Sequence, residues 1–100
     1  MMRCSQCGRE FTDAEQVACI SGRIFGDECT DCYYWCEACG VYSLRMYRDV
    51  FAGPELEKDC EPISKTEGDR RIELIHRCPN PGDERCRCEA HREYFGEWLD

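Results

Sequence analysis

Apolar positions recur with a period of two along much of the chain and with a helical period near its end. "VACI" (17–20) and "RIF" (23–25), separated by Ser21-Gly22, read as two short strands joined by a tight turn. In "CEACGVYSLRMYRDVF", Tyr42, Leu44, Met46 and Val50 fall on one side of the alternation, which predicts a strand at about 41–51. "RRIELIHR" (70–77) alternates again, with Ile72, Leu74 and His76 on one face, and is the expected partner strand. Toward the C-terminus His91, Tyr94, Phe95 and Trp98 stand at i, i+3, i+4 and i+7, which is one face of a helix.

Punctuation completes this outline. Thr12-x-x-Glu15 matches a capping box and allows a helical turn before the first hairpin. Asp27 is placed to cap a helix beginning near Cys29. "AGPELEKDCEPISKTEGD" (52–69) reads as a loop, long enough to be mobile or functional, and "CPNPGDERC" (78–86) reads as a turn. The expected fold is a small α+β body made of two consecutive units, 1–35 and 36–100.

Composition changes the picture, because so little of the chain can form a core. Leu, Ile, Val and Phe together number 16 in 100 residues, with a formal charge of −8. Such a chain stays unfolded unless something cross-links it, and small domains use disulfides or metals for that purpose. It has 11 cysteines, an odd number that a disulfide framework would not use up. "MMRCSQCGRE" shows no basic segment followed by an apolar run, and no stretch approaches the ~18 apolar residues of a membrane span. Metal in a reducing, cytoplasmic setting is therefore the expectation.

The cysteine spacing supports it. Cys4-x2-Cys7, Cys29-x2-Cys32 and Cys36-x2-Cys39 each have the spacing of a zinc half-site. Cys4-x2-Cys7-Gly8 and Cys36-x2-Cys39-Gly40 also share a knuckle pattern, in which the glycine closes a tight turn around the sulfurs. Cys88 and His91 lie in the first turn of the expected C-terminal helix. Cys78 and Cys86 bracket the Pro-Asn-Pro-Gly turn; either is an alternative ligand, and Cys78, Cys86, Cys88 and His91 could form a site of their own. Plainer roles fall to Cys19 as a buried small hydrophobe, Cys60 as a free thiol and His76 as a core or supporting histidine.

A knuckle, a hairpin and a helix with C-x2-C in its first turn resemble a treble-clef zinc finger. The resemblance implies Cys4, Cys7, Cys29 and Cys32 as ligands of one zinc, and Cys36, Cys39, Cys88 and His91 as ligands of a second. Two zinc ions are expected and three are possible. Back-to-back sites, together with "GRIFGDECTDC", are also similar to a LIM domain, which implies a two-zinc protein-interaction module. A rival assignment is an iron–sulfur cluster on Cys29, Cys32, Cys36 and Cys39, with electron transfer as its function.

A closed four-sulfur site leaves no position for water or substrate, and no catalytic motif accompanies the second site, so no enzymatic activity is expected. Protein contacts are the expected work. Tyr33, Tyr34 and Trp35 are the candidate partner anchors, since consecutive helical residues cannot all face one core. Glu55, Glu57, Asp59 and Glu61 could address a basic partner. Nucleic-acid binding through the Arg-rich second half is the alternative, opposed by the acidic net charge.

Overall fold

Strand β1 (Gln16–Ile24) runs without interruption through the Ser21-Gly22 pair that the sequence reads as a turn. It pairs antiparallel with β2 (Asp27–Cys36), which pairs with β3 (Val41–Asp49), which in turn pairs with β4 (Leu56–Asp59). A two-residue strand β5 (Ile63–Ser64) also pairs with β3, leading into helix α1 (Lys65–Arg77). A second helix, α2, spans Glu89–Phe95, and a short 3-10 helix covers Asp13–Glu15. The computed structural model describes residues 3–24, 27–49, 56–59 and 61–96. The expectations placed on Phe25, Val50, Glu55, Cys60 and Trp98 lie outside them.

Three sequence expectations are corrected here. The segment carrying Cys29 and Cys32 is a strand, not a helix: Asp27–Cys36 alternates between the two faces of the sheet along its whole length. "RRIELIHR" lies within α1, not in a strand, so Ile72 and Ile75 share its buried side while His76 is exposed on its surface. The supposed loop holds β4, β5 and the start of α1. The 3-10 turn at Thr12–Glu15 and the C-terminal helix appear where the sequence puts them: the Thr12 N–H donates to Glu15 Oε1 at 3.1 Å.

One sheet face carries the core. Ala18 and Ile20 of β1, Tyr33 of β2, and Tyr42 and Leu44 of β3 pack with Ile72 and Ile75 of α1, and Tyr94 and Phe95 of α2 close the cluster. Two glycines set how closely these layers approach. A Cβ on Gly68 would lie 2.0 Å from the Tyr42 ring, and one on Gly22 would lie 2.6 Å from the Phe95 ring. Within the core runs a polar thread: Tyr33 donates to the Tyr94 hydroxyl, and Tyr94 donates to Asp31 Oδ2 at 2.7 Å. A second, smaller cluster of Cys4, Phe11 and Cys36, with Tyr34 and Cys39 against it, sits where the N-terminal segment meets β2.

Candidate metal centres

The N-terminal knuckle and the turn after β2 are two copies of one local structure. The N–H of Gly8 donates to the Cys4 carbonyl at 3.0 Å, and that of Gly40 donates to the Cys36 carbonyl at 2.8 Å. Both glycines have positive φ, 78° and 66°, a conformation that costs other residues a steric clash. Ser5 docks the first knuckle onto β3, its N–H reaching the fully buried Ser43 hydroxyl at 2.9 Å. The sulfurs of Cys4, Cys7, Cys36 and Cys39 thereby meet within 4.8 Å of one another.

The geometry fits a single tetrahedral ion. Zn–S bonds of ~2.3 Å put tetrahedral sulfurs ~3.8 Å apart, and Cys7–Cys36 and Cys4–Cys39 stand at 3.9 and 4.0 Å. Sulfurs this close compete for protons. Burial pushes the Cys4 thiol up, but N–H donors from Cys7 and Gln6 outweigh it and bring it to about 6. Cys39, held by its hydrogen bond with Cys7 and by desolvation, is pushed up to about 12. Ionising the whole set therefore calls for a cation among the sulfurs. Arg9 attends the cluster from outside, paired with Glu15 and stacked 5.3 Å from the Phe11 ring centre.

The second cluster joins Cys78, Cys86, Cys88 and His91, again within 4.8 Å. Cys78 caps the C-terminus of α1, its N–H donating to the Ile75 carbonyl at 3.1 Å. A turn at Asn80–Asp83 reverses the chain, and Cys88 is the N-cap of α2, its sulfur accepting from the His91 N–H at 3.4 Å. His91 is completely buried. Its Nε2 lies 2.7 Å from the Ser21 carbonyl, which can only accept, so Nε2 carries the proton and Nδ1 presents its lone pair to the sulfurs. Nδ1 is 3.0 Å from Cys78 and 3.8 Å from Cys88. Burial pushes Cys78 up to about 12, whereas the backbone N–H of His91 works against the burial of Cys88, which comes down to about 6.

The structure thus brings together Cys4, Cys7, Cys36 and Cys39, and joins Cys88 and His91 to the alternatives Cys78 and Cys86. It does not bring Cys29 or Cys32 to either cluster. Cys29 is a buried thiol on the core face of β2, and Cys32 is bonded across the sheet to Cys19, which is half-buried rather than a packed hydrophobe. An extended strand carries successive side chains to opposite faces, so the run from Cys29 to Cys39 cannot wrap one ion or one iron–sulfur cluster. The first cluster draws ligands from both sides of the 35/36 boundary.

Of the aromatic trio, Tyr33 is fully buried, Tyr34 stacks on Phe11 with ring centres 5.4 Å apart, and Trp35 tilts against Tyr42. Trp35 also lines a 590 Å3 surface hollow with Val17, Arg9, Glu15 and Glu37. Among the described residues no helix is long and apolar enough to cross a membrane. No protein-family model, curated protein or solved structure matches the chain.

Proposed function

We propose that this chain is a small, non-catalytic zinc-binding protein that works as an interaction module for a protein partner. The observation that carries the reading is the completeness of each donor set. Four ligands converge in each, all sulfur in one and three sulfurs with an imidazole in the other. That chemistry suits Zn2+, and a filled tetrahedron leaves no position for water or substrate. A multi-iron cluster has several metal and sulfide atoms between its ligands and would spread them wider, so a single ion per site is the better fit.

Seven thiolates and two divalent cations make the chain more acidic than its formal −8, which favours a basic or neutral partner over nucleic acid. Arginines are also matched within the chain: Arg70 and Arg71 share Glu67, and Arg23 pairs with Glu84 at 2.6 Å. Trp35 and Val17, the latter 39% exposed, supply the apolar floor for a partner contact. Tyr33, being fully buried, is a core residue in this reading. Thiolate ligands need a compartment that keeps thiols reduced, which fits the cytoplasm.

Removing zinc with a strong chelator tests the structural role: amide dispersion should collapse and return when zinc is restored. A chain that keeps its dispersion without metal would contradict it. Trp35→Ala should weaken capture of a partner while zinc content stays unchanged.

A further inference from the structure

Antiparallel pairing aligns Cys19 of β1, Cys32 of β2 and Arg45 of β3 in a row across the sheet, and Arg45 is paired in register with Asp59 of β4. Cross-strand partners project to the same face, and this row lies on the face opposite Ala18, Ile20, Tyr33 and Leu44. Both helices pack on that other face. Cys19 and Cys32 form a disulfide between directly opposed positions, Cα atoms 4.1 Å apart, and both remain half-buried rather than enclosed.

The pairing of β1 with β2 does not rest on this bond alone. The ladder from Ala18–Tyr33 to Ile24–Asp27 and the core beneath it already align the two strands. Both sulfur-bearing residues are also only half-buried, within reach of a small solute. Arg45 is the neighbour of Cys32 in the row, and the side-chain amide of Gln16 donates to the Cys19 sulfur. A half-exposed disulfide with an N–H donor at one sulfur is open to attack by an external thiolate. The same chain gathers seven other cysteines into clusters that bind metal only as thiolates, so it belongs where disulfides are transient.

We infer that Cys19–Cys32 is a reversible thiol–disulfide exchange site whose co-reactant is a low-molecular-weight monothiol and its disulfide. A monothiolate RS− attacks Cys19 Sγ; an S–S bond forms, the Cys19–Cys32 bond breaks, and its electron pair leaves on Cys32 Sγ. A second RS− attacks the external sulfur of the mixed disulfide and releases Cys19 as thiolate beside Gln16. Two protons complete the balance: one protein disulfide and two RSH give two protein thiols and RSSR, a two-electron change. Oxidation runs the same steps backwards. The inference stands whichever ion fills the two clusters.

The test is to equilibrate the metal-loaded protein in a series of reduced and oxidised glutathione mixtures, trap thiols by alkylation and read the Cys19 and Cys32 peptides by mass spectrometry. The two cysteines should change state together, with a midpoint inside the glutathione range, while bound metal stays constant. In Cys19→Ser, Cys32 should instead take up a single glutathione in the oxidising mixtures. A pair that stays oxidised in fully reduced glutathione until metal or fold is lost would overturn the inference, as would two thiols that stay free in fully oxidised glutathione.

Discussion

His91 Nε2 donates to the Ser21 carbonyl at 2.7 Å, joining the C-terminal helix to the edge strand of the sheet across 70 residues of sequence. The Ser21 N–H donates in turn to the Pro81 carbonyl at 2.7 Å. Both backbone groups of Ser21 on the open edge of β1 are thus satisfied by the segment that builds the second ligand cluster. The geometry of that ligand cluster and the capping of the sheet edge at Ser21 are one arrangement.

His91→Ala should therefore lose one metal ion and ~2–4 kcal/mol of stability, since a ligand and a buried hydrogen bond disappear together. His91→Cys should keep the ion but lose the link to Ser21, so amide exchange at Ser21 should quicken while metal content stays at two. Equal exchange in wild type and His91→Cys would contradict the coupling.

Gly68→Ala should destabilise the fold by ~1–3 kcal/mol, although alanine is the better helix former by about 1 kcal/mol. The added methyl would meet the Tyr42 ring, which is held between α1 and Trp35 and hydrogen-bonded to Asp69. Urea unfolding of the zinc-saturated proteins measures the difference; a stabilised variant would mean that the helix does not approach the sheet this closely.

How much of this was legible in the sequence depended on which signals were unambiguous. The knuckles were legible, because C-x2-C-G occurs twice and nowhere else. Their mutual pairing was available in that repetition: Cys29-x2-Cys32 is followed by Tyr33 and lacks the glycine that closes the turn. The strand at 41–49 and the helix at 89–95 followed from clear periodicities. Helix α1 was missed because Ile72 and Leu74 fit a period of two, whereas only Ile72 and Ile75, at i and i+3, carry the helical period. Ser64-x-x-Glu67, with the Ser64 hydroxyl accepting from the Glu67 N–H at 3.2 Å, was the N-terminal signal that decides between them. The Cys19–Cys32 bond depends on strand register, which no local pattern carried.

Asp31 gives the fold a pH dependence with a definite sign. Burial raises its pKa above the ordinary 3.8, against the opposing hydrogen bond from Tyr94. Its stabilising contribution is therefore complete below the unfolded value and is lost as pH rises through the folded one. Relative to Asp31→Asn, the wild type should lose stability as pH climbs above the ordinary 3.8, then level off once the folded carboxyl is ionised. Urea midpoints at constant zinc measure it, and a difference that grows with pH would contradict the burial of this carboxyl.

Arg9 lies outside the first donor set but beside it, stacked on Phe11, and its positive charge lowers the pKa of Cys36. Arg9→Gln should weaken metal at that site roughly ten-fold and leave the second site unchanged, as supporting residues around metal ligands commonly do. Competition with a chromophoric chelator resolves the two affinities. An equal loss at both sites would point to general unfolding instead.

The most direct measurement is the metal content of three proteins by native mass spectrometry: wild type, Cys29→Ser and Cys36→Ser. Zinc at two ions per chain in wild type, two in Cys29→Ser and one in Cys36→Ser is the predicted result, because Cys29 belongs to neither cluster. Loss of an ion from Cys29→Ser, or a wild-type chain carrying iron or no metal, would contradict the two-site arrangement.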